Sequence, residues 1–98
     1  MNIAVFVSGR GSNLQAILND PELKQIINVA AVVSDKIDCK AFEIARQNGI
    51  ETYTLGVEEN KINADKLSEK LLALNVSLIV LAGYLKLIPD VLLNSFNS

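Results

Sequence analysis

Ser8-Gly9-Arg10-Gly11-Ser12-Asn13 is the stretch of this sequence whose residue types are best suited to chemistry. Two glycines let a backbone turn tightly and approach a ligand with no Cβ in the way. A helix that starts directly behind them turns its first N–H groups, and the positive end of its dipole, toward that turn. Together these features make an anion site, most often one for phosphate. Ser12 and Asn13 add side-chain donors, and Arg10 adds charge. A plain strand-to-helix turn with a Ser or Asn cap has the same composition, so position in the fold must separate the two readings.

Two well-known glycine loops can be compared with it. The nucleotide P-loop needs Gly-x4-Gly-Lys-Ser/Thr, and no such run occurs. The dinucleotide fingerprint needs Gly-x-Gly-x-x-Gly/Ala, and here Leu14 stands at the third small position. That small residue permits close helix–strand contact, which Leu14 hinders. Asp35 does fall where a ribose-binding carboxylate would sit. A dinucleotide site therefore stays open as an alternative, beside the simpler reading of Asp35 as a turn residue.

Proton transfer near neutral pH most often uses histidine, and this sequence contains none. Asp35, Asp38, Glu58 and Glu59 fall in expected turns rather than in apolar runs. Lysine and tyrosine ordinarily titrate far above neutrality. The composition thus offers an anion site and no evident acid–base group, so no catalytic residue and no metal site is assigned.

The elements around the glycine turn follow from hydrophobic patterning. Ile3-Ala4-Val5-Phe6-Val7 is a continuous apolar run, as in a parallel strand buried on both faces. Ser12 or Asn13 is the expected cap of a helix through Leu14, Ala16, Ile17 and Leu18. Pro21 breaks or restarts that helix, with Glu22 in the new first turn. Residues 29–33 form a second apolar strand, which ends at Ser34-Asp35.

Asp38 is the expected cap of the next helix, with Ala41, Phe42 and Ala45 on one face and Asn48-Gly49 as a left-handed stop. Glu51-Thr52-Tyr53-Thr54 is polar and reads as a short edge strand. Ala64, Leu67, Leu71 and Leu74 recur at helical spacing. Leu78-Ile79-Val80-Leu81-Ala82 reads as a fourth strand, and Pro89 opens a last helical segment. Strands alternating with helices imply an α/β, Rossmann-like, three-layer parallel sheet in the order 3-2-1-4. The glycine turn then lies at the C-terminal end of strand one, near the switch point, which favours a ligand site over a plain turn.

One mismatch points beyond the sequence itself. Strand three is polar, as an edge should be, yet strand four would be the other edge and is wholly apolar. The expectation is that further sheet belongs beyond strand four and that the chain is a fragment. Its exposed edge should then template self-association, and Ile79→Lys should blunt it.

The bulk properties exclude several classes. A length of 98 residues suits one small domain. The net charge is −2 and the Lys and Arg residues are scattered, so no basic stripe for a nucleic acid exists. Cys39 is alone, so no internal disulfide forms, and a cytoplasmic location is expected. The first apolar run is too short for a signal-peptide core, and no stretch reaches the length of a membrane helix.

Several segments carry a family resemblance. Val7-Ser8-Gly9-Arg10-Gly11-Ser12-Asn13-Leu14-Gln15-Ala16-Ile17 resembles the N-terminal signature of phosphoribosylglycinamide formyltransferases. Val80-Leu81-Ala82-Gly83-Tyr84-Leu85-Lys86-Leu87-Ile88 resembles a second segment of that family. Ala30-Ala31-Val32-Val33-Ser34-Asp35-Lys36 and Ala45-Arg46-Gln47-Asn48-Gly49-Ile50 agree with it in order and spacing. The resemblance covers essentially the whole chain.

The resemblance implies an incomplete formyltransferase fold, with residues 1–98 as the N-terminal, phosphate-binding part of the domain. It implies transfer of a formyl group from the cosubstrate 10-formyltetrahydrofolate to glycinamide ribonucleotide, in purine synthesis. Gly11, Ser12 and Asn13 would hold the substrate phosphate, and Leu85, Lys86, Leu87 and Ile88 would line the folate pocket. Lys86 stands where the family often has Arg, so a bidentate contact there would be lost. Simple core packing is the competing reading of Leu85, Leu87 and Ile88. The family's catalytic Asn, His and Asp fall later than the residues present, so this chain is expected to be inactive alone. The competing classes are a phosphate-binding module or pseudoenzyme and a dinucleotide-binding domain.

Overall fold

Ile3, Ala4, Val5, Phe6 and Val7 are all at most 2% exposed, because helices cover both faces of the strand they form. The computed structural model describes residues 1–7, 11–37 and 39–82. The expected segment at Pro89 lies outside them. The strands are β1 (Asn2–Val7), β2 (Asn28–Ser34), β3 (Glu51–Thr54) and β4 (Val76–Ala82). The helices are α1 (Ser12–Asn19), α2 (Pro21–Ile26), α3 (Lys40–Gln47) and α4 (Ala64–Ala73). All strand pairs are parallel, and the order is β3-β2-β1-β4, as the alternation of elements implied.

Strand periodicity sorts the core into two layers. Ile3, Val5 and Val7 face Leu14 of α1 and Ala41, Phe42 and Ala45 of α3. Ala4 and Phe6 face Leu67 and Leu71 of α4, with Ala31, Val33, Leu55 and Val76. Winding therefore reverses at β1. Its chain runs outward through β2 and β3 with α1 and α3 on one face, then returns over the other face through α4 to β4.

Local chemistry sets the element ends. Asp20 accepts hydrogen bonds from the N–H groups of Glu22 (2.9 Å) and Leu23 (3.3 Å), so Pro21 restarts a helix with its cap in place. Asn63 caps α4 in the same way through the Lys66 N–H (2.8 Å). Gly49 takes the left-handed turn expected after α3, at φ 69°. Asn75 does the same after α4, at φ 60°, a conformation asparagine tolerates better than other side chains. The cap of α3 is Cys39 and not Asp38, and its side chain makes no capping bond; Asp38 itself lies outside the described residues.

β4 starts two residues earlier than the apolar run suggests, and Ser77 explains the difference. The register shifts between Asn2 and Ile3, leaving Ser77 as an extra residue opposite β1. Its Oγ donates to the Asn2 carbonyl (3.3 Å). Ala30 is the corresponding extra residue on the β2 side. Asn2 reinforces this end of the sheet: its Nδ2 donates to the Leu74 carbonyl (3.0 Å), and its Oδ1 accepts from Asn28 Nδ2 (3.3 Å).

Among the described residues β4 pairs only with β1. Leu78 (42%) and Leu81 (57%) are exposed on it, whereas Ile79 is half-buried and packs against the α4 layer. This corrects the choice of Ile79 for a charge substitution. A lysine there would enter the core, while position 81 offers the same edge at little packing cost.

Candidate functional site

The glycine turn ends in a helix start of unusual form. Gly11, not Ser12 or Asn13, is the N-cap of α1, in the left-handed region at φ 88°, ψ −11°. The first intrahelical bond runs from the Gln15 N–H to the Gly11 carbonyl (2.9 Å). Ser12 and Asn13 therefore occupy the first two helical positions and are exposed there. A glycine cap has no side chain to offer, and α1 has no side-chain capping bond. The N–H groups of Ser12, Asn13 and Leu14 thus lack the helical acceptors that later residues have.

Charge favours an anion at this terminus. Glu22, Glu43 and Asp65 lie in the first turns of α2, α3 and α4, where each offsets the dipole. The first turn of α1 holds no acidic residue. Among the described residues, no acidic side chain of its own first turn offsets its positive end.

Tertiary packing fixes the turn as well. Gly11 is buried against the start of α3. A Cβ on it would lie 2.8 Å from Ile44 Cδ1, 3.2 Å from the Ala41 nitrogen and 3.3 Å from Ala41 Cα. Glycine is required here twice over, by conformation and by space. This contact was hidden in the sequence, since nothing local to Gly11 marks Ala41 and Ile44 as its neighbours.

Beside it, β2 ends in a tight turn. Ser34 is fully buried, and its Oγ accepts from the Lys36 N–H (3.2 Å). Asp35 follows in a bend, half-buried. Leu14 is 0% exposed and fills the space between α1 and the sheet. That is where a dinucleotide fingerprint needs a small residue for closer helix–strand approach.

Ser8, Gly9 and Arg10, and the proposed pocket residues Leu85, Lys86, Leu87 and Ile88, lie outside the described residues. A cleft of about 660 Å³ opens at the opposite, amino end of the strands, lined by Asn2, Asn28, Glu51 and Leu74 among others. In doubly wound sheets ligands sit at the carboxyl end. The Asn2 and Asn28 amides in this cleft are already engaged in joining strands to one another and to α4.

Among the described residues no group of three or more His, Cys, Asp or Glu is placed to hold a metal, and no helix is long and apolar enough to cross a membrane. Cys39 is free and half-buried. Burial, and then Glu51, push the Tyr53 phenol above its ordinary range. The Glu58 carboxyl is held below its range, first by its own backbone N–H and then by Lys61, whose Nζ is 3.5 Å away.

These features define a Rossmann-like α/β protein in which, among the described residues, the helix that starts where the winding reverses has no side-chain cap and no acidic residue in its first turn. The formyl transferase family model matches residues 1–98, and the chain belongs to that family. The phosphoribosylglycinamide formyltransferase of Escherichia coli strain K12 is 34% identical over 98% of this chain and 47% of its own length. That of Bacillus subtilis strain 168 is 37% identical over 95% of this chain and 50% of its own. The crystal structure of glycinamide ribonucleotide transformylase 1 from Symbiobacterium toebii superposes with a TM-score of 0.77 at 32% identity, over 99% of this chain and 48% of that one. The chain thus spans about half the length of these relatives.

Proposed function

We propose that residues 1–98 are the phosphate-binding part of a phosphoribosylglycinamide formyltransferase. The parent activity moves a formyl group from 10-formyltetrahydrofolate to the amine of glycinamide ribonucleotide, a step of purine synthesis. Gly11, Ser12 and Asn13 receive the substrate's phosphate through the first-turn N–H groups of α1. Leu85, Lys86, Leu87 and Ile88 form a wall of the folate pocket. The protein is cytoplasmic and has no nucleic acid partner.

The observation that carries this reading is the α1 terminus, which among the described residues has no side-chain cap and no first-turn acid, in a chain that belongs to the formyl transferase family. Relatives named for a phosphorylated substrate support it further. Titration of the isotope-labelled chain with ribose 5-phosphate is expected to shift the amides of Gly11, Ser12, Asn13 and Leu14. Affinity should be weak, on the order of millimolar, as for a small anion held by few groups. Responses confined to residues elsewhere would refute the assignment. With NAD, shifts at both Gly11 and Asp35, with none from phosphate, would favour a dinucleotide site instead.

The exposed Leu78 and Leu81 on β4 support a second element of the proposal, self-association through that edge. Sedimentation should show concentration-dependent association of the chain. Leu81→Lys should abolish it with a stability change within about 0.5 kcal/mol, because the side chain is mostly in water. A monodisperse parent chain that melts sharply above about 65 °C would overturn the idea.

A further inference from the structure

The close seat of Gly11 on α3 suggests that the anion turn is shaped from outside its own segment. Gly11 holds a left-handed conformation, and nothing on α1 caps the helix that follows it. Ala41 and Ile44, one turn apart on α3, stand against it from the other side. Ala41 presents backbone, at the distances given above, and is fully buried. Ile44 presents only the tip of its side chain, Cδ1, and is half-buried at the margin of the α1–α3 layer.

We infer that Ile44 is a positioning residue for the phosphate turn. Its Cδ1 closes the space beside the Gly11 Cα and so holds the backbone that aims the Ser12, Asn13 and Leu14 N–H groups. The inference rests on the phosphate reading above and adds to it the part that α3 plays. An anion held by several N–H groups requires those groups to converge, and convergence depends on the φ and ψ of the residue that starts the helix. Removing a single methyl from the wall gives that residue room to move, since packed interiors leave few voids and small volume changes are felt.

The test removes that methyl and separates aim from stability. Ile44→Val deletes Cδ1 and keeps the β-branched body. Ile50→Val makes the same deletion in the same layer at a residue that is not among the nearest neighbours of Gly11, which are Ile44 and Ala41. Ribose 5-phosphate is titrated into the parent chain and both variants, following the amides of residues 11–14, with thermal melts alongside.

Ile44→Val is expected to bind roughly three- to thirtyfold more weakly, the scale of indirect coupling through packed neighbours. Ile50→Val should lose similar thermal stability and keep the parent affinity. Ile44→Leu, which restores a terminal methyl, should recover part of the binding. Equal affinity in the parent chain and Ile44→Val would overturn the inference and leave the phosphate site standing. No response at residues 11–14 in the parent chain would remove the phosphate reading and this inference together.

Discussion

Gly11→Ala is expected to cost about 2–4 kcal/mol and to abolish the response to phosphate. A non-glycine residue in the left-handed region costs roughly 1–2 kcal/mol. The new Cβ then meets Ile44 Cδ1 at 2.8 Å and the Ala41 backbone at little more than 3 Å. Backbone cannot swing aside as a flexible side-chain end can, so α1 and α3 must separate. Gly49→Ala is the control that isolates this contact. Gly49 also has a positive φ (69°), but nothing lies within 4 Å of its would-be Cβ. It should lose only the conformational part. For a chain of this size each kcal/mol moves the melt by about 4–8 °C, so Gly11→Ala should melt roughly 8–30 °C below the parent. Equal melts for the two variants would show that the close approach of α3 is wrong.

The 98-residue chain is expected to leave glycinamide ribonucleotide and 10-formyltetrahydrofolate unreacted when mixed with both. Attack of an amine on a formyl carbon passes through a tetrahedral oxyanion. Donors must stabilise it, and a group titrating near neutrality must take a proton from the nitrogen. The sequence has no histidine for this. The Tyr53 phenol is pushed upward and the Glu58 carboxyl downward, so each moves away from neutrality. Neither lies in the turn beside Gly11. The assay follows deformylated folate against a protein-free blank. Turnover of even about one per second, an ordinary enzymatic rate, would refute the expectation.

Much of the fold could be read from residue types because both faces of the sheet are covered. Ile3-Ala4-Val5-Phe6-Val7 reads as a buried strand whatever lies above it, and Ala41, Phe42 and Ala45 declare one helix face. Asn48-Gly49 marks a helix end by a conformational need that few other residues meet. What escaped the reading was set by contacts between distant segments. Ser12 and Asn13 look like caps, but the cap is Gly11, left-handed and set where α3 leaves no room for a Cβ. Ser77 looks like a loop residue, yet as the extra residue of a bulge its hydroxyl is used within the sheet. The exposure of Leu81 against the partial burial of Ile79 depends on where α4 crosses β4, which hydrophobicity alone does not encode.

The central place of β1 has a kinetic consequence. Ile3 pairs with Val29 on one side and with Leu78 on the other. Closing the longer loop costs only about 1 kcal/mol more in chain entropy, since that cost grows with the logarithm of length. Time separates the two pairings far more. On a ribosome adding about 5–20 residues per second, β1 and β2 both emerge roughly 2–10 seconds before β4. During that interval the strand that ends up most deeply buried offers one unpaired edge to its surroundings. The hazard for a nascent chain therefore lies at the middle of the finished sheet rather than at its rim, and a holding chaperone that covers β1 would act where the folded protein shows nothing to hold.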